Sequence, residues 1–226
     1  MTAAREKALV VLSGGQDSTT CLYWAIERFG RFNISSITFD YGQKHRIELE
    51  CAREVAAAAG VANVCLPIDT FAALGGDALT DLAIPVSDEA DRETELPVTF
   101  VAGRNLIFLT FAAAYAYRHG IQHIVTGVAQ TDYSGYPDCR EETMAALQRA
   151  ITLGMDREFT IHTPLMHRSK KETVELAVRL GALEAMALTH TCYKGLRPPC
   201  GECQACRLRA RGFAEAGVQD PLLDTR

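Results

Sequence analysis

An α/β fold built on a parallel sheet, with a small cysteine-bearing module at its C-terminal end, is what this 226-residue sequence predicts. Three observations carry that expectation. Short apolar runs alternate with longer stretches of helical periodicity through most of the chain, and strand-helix alternation buries a parallel sheet beneath helices on both faces. Several helical stretches stop at glycine, the residue that most readily adopts the left-handed conformation closing a helix. From about Leu188 onward Cys, Gly, Pro and Arg replace that rhythm, in a segment too small for a core of its own.

In chain order, strands are expected at Ala8–Leu12, Ile34–Phe39, Val64–Ile68 and Ile121–Val128, each a compact apolar run. Helices are expected at Ser18–Phe29, Ile47–Ala59, Arg104–Arg118, Glu141–Leu153 and Ser169–Leu180, closed in four cases by Gly30, Gly60, Gly120 and Gly181. Between Phe71 and Pro97 the pattern breaks into a long, acidic loop, read as a solvated insertion. The chain divides into an α/β domain over residues 1–187 and a module over residues 188–226 that ends in a helix and tail. No internal repeat is visible.

Composition narrows the function. Nearly half the residues are apolar and the net charge is -5, so no basic surplus exists to grip a nucleic-acid backbone. The N-terminal apolar run is too short for a signal-peptide core or a membrane span. A reducing cytoplasm is the expected compartment, and disulfides are not expected from the eight cysteines. Four of these are scattered, whereas Cys192, Cys200, Cys203 and Cys206 fall close together. Thiolates at that spacing point to a metal, foremost a structural Zn²⁺ with four sulfur ligands; the Cys-x3-Cys-Pro ending of the familiar iron–sulfur run is missing. His190 is expected beside that shell or on the surface.

The first strand runs directly into Ser13-Gly14-Gly15-Gln16-Asp17-Ser18-Thr19-Thr20. A Gly-Gly turn leading into a helix aims backbone N–H groups and the helix dipole at one point, where an anion is held. The lysine of the common phosphate loop is absent. At the end of the second strand, Asp40-Tyr41-Gly42-Gln43-Lys44-His45 sits where the adenosine half of a nucleotide would lie. Arg104-Asn105 opens a long helix and suits a carboxylate or phosphate. After the fourth strand, Asp132-Tyr133-Ser134-Gly135-Tyr136-Pro137-Asp138-Cys139-Arg140 combines aromatic faces for a planar ring with carboxylates for a guanine-like N–H edge. Cys139, with no histidine near in sequence, is assigned to packing rather than nucleophilic attack.

The loop SGGQDS resembles the PP-loop ATP pyrophosphatases, whose fold is the Rossmann-like adenine nucleotide alpha hydrolase type. Together with FDYGQKH, GRN, DYSGYPDCR, TPLMHRSKKE and CYKGLRPPCGECQACRLR, in that order, the chain resembles the 7-cyano-7-deazaguanine synthase family nearly end to end. The resemblance implies an ATP-dependent carbon–nitrogen ligase that converts 7-carboxy-7-deazaguanine and ammonia to the nitrile, through adenylated acid and amide, in queuosine biosynthesis. It implies ATP, Mg²⁺ and structural Zn²⁺, a homodimer, and no direct tRNA binding. Asp17, Ser18, Arg104 and Lys170 become the catalytic candidates, Asp17 either placing Mg²⁺ or organising the helix start. Leu12, Ser13, Gly14, Gly15, Gln16, Asp17, Ser18, Thr19 and Thr20, with Asp40 and Tyr41, would hold the nucleotide. Asn105, Asp132, Tyr133, Tyr136, Asp138 and Arg140 would face the substrate. Ala102 departs from the family, which commonly has Pro there. Two rivals are weighed: another PP-loop adenylating enzyme, such as a tRNA thiolase or amide-forming ligase, and a non-catalytic zinc-containing nucleotide-binding module.

Overall fold

The computed structural model describes residues 6–81, 83–87, 95–131 and 136–223. Five strands, β1 (Ala8–Val11), β2 (Ile34–Asp40), β3 (Ala62–Pro67), β4 (His123–Val125) and β5 (Thr160–His162), form one sheet in the order β3-β2-β1-β4-β5. Every neighbouring pair is parallel. Helices α1 (Gln16–Phe29), α2 (Ile47–Ala59), α3 (Thr70–Leu74), α4 (Arg104–Arg118), α5 (Glu141–Met155), α6 (Lys170–Arg179) and α7 (Gln204–Ala216) complete the chain. No helix among the described residues is long and apolar enough to cross a membrane.

Alternation along the strands builds two cores. Leu9, Ile37, Phe39 and Ile124 pack with Leu109, Ala112 and Ala116 of α4 and Met144 and Ile151 of α5. Ala8, Val10 and Val125 point the other way, onto Leu22 and Ala25 of α1 and Val55 and Ala56 of α2. Both faces are therefore dry, which is why the strands read as continuous apolar runs rather than alternating ones. The alanines of α2 and α4 let these helices approach the sheet closely. The expected helix-closing glycines all take positive φ.

Three differences from the sequence expectation have physical causes. The strand expected over Ile121–Val128 pairs only over His123–Val125, because the chain beyond it turns away to pass α1. A Cβ on Gly127 would lie 3.0 Å from the Ser18 nitrogen. β5 was not expected at all: Thr-Ile-His carries one apolar residue and becomes a strand only by pairing with β4 at the sheet edge. The Phe71–Pro97 segment, expected as one long loop, starts within the short helix α3, and Phe71 is buried in the core.

The C-terminal segment is anchored from two sides. Val174 and Ala177 of α6 pack with Met186 and Phe213 of α7, and α6 starts at a reciprocal cap between Ser169 and Glu172. Buried Arg209 binds Asp220 through two nitrogens, at 2.6 and 2.8 Å. It also donates to Thr189 Oγ1, Thr191 Oγ1 and the Met186 carbonyl, which ties the chain before the cysteines to α7.

One pH effect follows from the β4–β5 edge. His123 Nδ1 and His162 Nε2 lie 3.1 Å apart beside Trp24 and Phe29. Burial, then the neighbouring His123 and Arg28, push the His162 imidazole down to about 4. An unfolded histidine binds its proton near pH 6.5, so between about 6.5 and 4 the unfolded chain holds more protons. Stability from this group is complete above pH 6.5 and is lost as pH falls toward 4. Melting curves of wild type and His162→Gln should converge across that window; a constant gap would exclude the effect.

Candidate active site

The cleft forms at the carboxyl ends of β1, β2 and β4, where the strand order reverses about β1. A cavity of about 280 Å³ opens there, close to the lower end of the range for small-ligand sites. Its floor is the turn from β1 into α1. Gly14 has φ +83°, and a Cβ on it would sit 2.4 Å from the Glu48 carbonyl oxygen and 2.7 Å from the Ala52 nitrogen. Only glycine lets this turn press against α2.

Hydroxyls hold the turn in shape. Ser18 Oγ accepts the Ser13 N–H at 3.2 Å, lies 3.1 Å from Ser13 Oγ and donates to the Gly15 carbonyl. α1 starts at Gln16, two residues before the expected Ser18, with no side-chain cap. Lys170, the first residue of α6, reaches across to Asp17 Oδ2 at 2.7 Å. The pair is largely shielded, with side chains 11% and 28% exposed. Asp17 Oδ1, Gln16 Nε2 and Thr19 Oγ1 are buried with no hydrogen-bond partner among the described residues. Orphaned buried polar atoms are costly, and two of them belong to Gln16 and Asp17, which line the cavity where a polar ligand fits. Leu12 is buried but borders the cavity, whereas Thr20 is buried behind the turn and its hydroxyl donates to the Gln16 carbonyl.

The second wall follows β2. Asp40 is engaged by Arg46. The buried Tyr41 N–H donates to Gln43 Oε1 at 2.8 Å, which curls the loop inward. Lys44 donates to the Ile84 carbonyl at 2.6 Å and through its backbone N–H to the Leu79 carbonyl, so it tethers the segment after α3 over the cleft.

Arg104 projects from the start of α4 into the same cavity. It donates to Tyr41 Oη at 3.2 Å and lies 5.7 Å from that ring's centre. Burial opposes its charge, but the phenols of Tyr41, Tyr136 and Tyr193 outweigh that and hold the guanidinium firmly protonated. Burial in turn pushes the Tyr41 phenol up to about 12, so it stays a neutral donor. Among the described residues no carboxylate pairs with Arg104, and a buried cation ringed by neutral phenols suits an anionic ligand.

The candidates beyond β4 separate. Asp132 and Tyr133 lie outside the described residues. Tyr136 lines the cavity, its hydroxyl 2.7 Å from Thr99 Oγ1. Asp138 is buried and accepts the Asn105 N–H at 2.9 Å, a capping bond for α4. The Asn105 side chain lines the cavity and donates to Cys139 Sγ at 3.4 Å. Arg140 is exposed at the start of α5, away from the cavity lining.

Residues not expected in the cleft complete it. His190, Thr191 and Tyr193 line it from the C-terminal side, and the His190 N–H donates to the Gly14 carbonyl at 2.9 Å. His190 is buried rather than superficial. Its Nε2 lies 2.9 Å from the Cys192 carbonyl, and burial lowers its basicity. Glu48 of α2 also lines the cavity. For Tyr193 the sequence signal was adjacency to Cys192; for Glu48, three residues past His45, there was none.

The four cysteines converge next to this wall. Their sulfurs all lie within 4.8 Å of one another, and Cys200 and Cys206 are 3.8 Å apart. Tetrahedral zinc with bonds of about 2.3 Å places sulfurs about 3.8 Å apart. The N–H groups of Glu202 and Cys203 donate to Cys200 Sγ at 3.4 and 3.3 Å, stabilising a thiolate. The residues fit a closed metal site with Cys192, Cys200, Cys203 and Cys206 as ligands.

Comparison with known proteins agrees with this geometry. A chain from Chromobacterium violaceum described as 7-cyano-7-deazaguanine synthase is 65% identical over 98% of this chain and 95% of its own length. Chains of the same description from Laribacter hongkongensis and Azorhizobium caulinodans are 64% and 51% identical, over 97% and 92% of this chain and 95% and 92% of their own lengths. The family model described as queuosine biosynthesis protein QueC matches residues 7–217, from the strand under the phosphate-type turn to the last turn of α7, and the chain belongs to that family.

Proposed function

We propose that this protein converts 7-carboxy-7-deazaguanine and ammonia to 7-cyano-7-deazaguanine at the expense of ATP, through an adenylated acid, an amide and an adenylated amide. The reading rests on family membership and on one observation above all. The Ser13–Ser18 turn, with the orphaned Gln16 and Asp17 atoms, and Arg104, which has no carboxylate partner among the described residues, open onto one cavity. One holds polyphosphate and the other an acid.

A carboxylate resists attack by ammonia. Its oxygen must first displace pyrophosphate from the α-phosphorus of ATP, giving a mixed anhydride whose leaving group is AMP. In the proposed site the N–H groups and hydroxyls of residues 12–20 grip the departing pyrophosphate, which a turn lacking the usual lysine suits. Asp40 and Tyr41 border the adenosine. Arg104 holds the substrate carboxylate, and Lys170 orients Asp17. Mg²⁺, held near Asp17, would screen the charge building on the phosphate oxygens. Tyr136 and Asn105 face the heterocycle, with Asp132 and Tyr133 assigned to it by resemblance. Asp138 and Arg140 act from behind, by ordering the starts of α4 and α5. Structural zinc, a homodimer and a cytoplasmic location belong to the same proposal.

Purified protein with ATP, Mg²⁺, ammonia and the acid is expected to yield amide and then nitrile by mass spectrometry. Asp17→Asn should lower turnover by at least about 100-fold while the protein stays folded and keeps its metal content, with a lower melting temperature because the shielded Lys170 loses the Asp17 charge. Absence of either product from folded, metal-loaded wild type would refute the assignment.

A further inference from the structure

Among the described residues, Glu48 is the one carboxylate lining the cleft to which the proposed reaction gives no role. It sits on the first turn of α2, directly beneath the Ser13–Ser18 turn, where its backbone carbonyl limits how Gly14 can be filled. Other groups bordering the cavity are Arg104 from α4, Asp17 from α1, Tyr41 and the Lys44–His45 pair from the loop after β2, and His190 and Tyr193 from the C-terminal side. Most have work inside the protein. Asp17 takes Lys170, Tyr41 takes Arg104, Lys44 takes a carbonyl and His190 takes Cys192. The Glu48 carboxylate has no hydrogen bond or ion pair among the described residues.

The Glu48 carboxylate is half-buried at the cavity wall, where no partner among the described residues holds it and a ligand can meet it. Its position beside the cation that would hold the acid defines a use. We infer that Glu48 is the proton acceptor for the nitrogen that attacks the activated carboxyl carbon. This rests on the proposed adenylation reading. Ammonia adds to the acyl carbon, leaving the new nitrogen positively charged. One N–H proton passes to the Glu48 carboxylate, the carbon–oxygen bond breaks with its electron pair going to AMP, and the amide remains. Burial, only partly offset by Arg104, pushes the Glu48 carboxyl up to about 7, matched to accepting a proton near neutrality. His45 and His190, the neighbouring bases, are both lowered by burial. His190 is also hydrogen-bonded to a carbonyl.

The test separates activation from nitrogen transfer. Exchange of labelled pyrophosphate into ATP, dependent on the acid, reads adenylation without ammonia. In Glu48→Gln, which conserves shape, exchange is expected to stay within about 3-fold of wild type, whereas amide formation falls about 100-fold or more. Hydroxylamine, whose adduct loses its proton readily, should restore product as the hydroxamate. Glu48→Asp should recover part of the ammonia rate. With ammonia counted as free base, the wild-type rate should rise with pH to a plateau above about 7, and the Gln variant should lose that rise. Exchange falling in step with amide formation, or equal loss with both nucleophiles, would overturn the assignment and make Glu48 a substrate-positioning group. An unchanged ammonia rate would overturn it as well. No exchange in wild type would instead defeat the adenylation reading itself.

Discussion

Gly14→Ala is expected to cost roughly 3–5 kcal/mol, a large part of the stability of a typical domain. Two effects add. An L-residue at φ +83° carries strain of about 1–2 kcal/mol. The new methyl also meets the Glu48 carbonyl at 2.4 Å and the Ala52 nitrogen at 2.7 Å, both backbone atoms that no side-chain rotation can move aside. α2 must shift or the turn must open. The same substitution at Gly120, with φ +69° and nothing within 4 Å of the added Cβ, should cost only about 1 kcal/mol. Denaturant unfolding of the two variants measures the difference, and equal losses would show that crowding against α2 contributes nothing. If Gly14→Ala still folds, nucleotide binding should fall with it, because the N–H groups of residues 14 and 15 would move.

Loss of one cysteine should be comparably severe but local. Cys203→Ser, or chelation of the metal, is expected to release the segment from about Thr189 to Cys206 while the sheet survives. Metal binding supplies several kcal/mol to small modules that lack a core. Hydrogen exchange over residues 189–206 should rise at least about 100-fold, and the strands should keep their protection. That outcome also tests the proposed division into residues 1–187 and 188–226. Metal analysis of wild type should give one zinc per chain; iron with inorganic sulfide would rule zinc out. Activity should fall too, since His190 N–H is bonded to Gly14 O and a Cβ on Gly195 would lie 2.1 Å from the His45 ring. The module is one wall of the cleft, so releasing it opens the site.

Local features made much of this protein legible. A hydrophobic strand running into Ser-Gly-Gly-Gln-Asp-Ser leaves the backbone few choices. The turn, the start of α1 and the four-cysteine cluster depend on spacing along the chain. β5 was illegible for the opposite reason: Thr160, Ile161 and His162 form a strand only because β4 offers its edge. Asp138 was assigned to the substrate from its motif, and the fold sets it beneath the Asn105 N–H. No pattern in DYSGYPDC announces a contact with residue 105.

By itself, then, the sequence determined the sheet's strands β1 to β3, the phosphate-type turn and the cluster of four cysteines that could hold a metal, all consequences of short-range stereochemistry and of thiolate spacing. Only the tertiary structure decided which charges meet. It set Lys170 against Asp17 across 153 positions, enclosed Arg104 among three phenols, brought His190 to the Gly14 carbonyl, and left Glu48 facing the cavity without a partner among the described residues. The physical reason is that partnerships between buried charges are made by packing. Which carboxylate is satisfied and which is left for a substrate depends on how helices from distant parts of the chain close over the sheet.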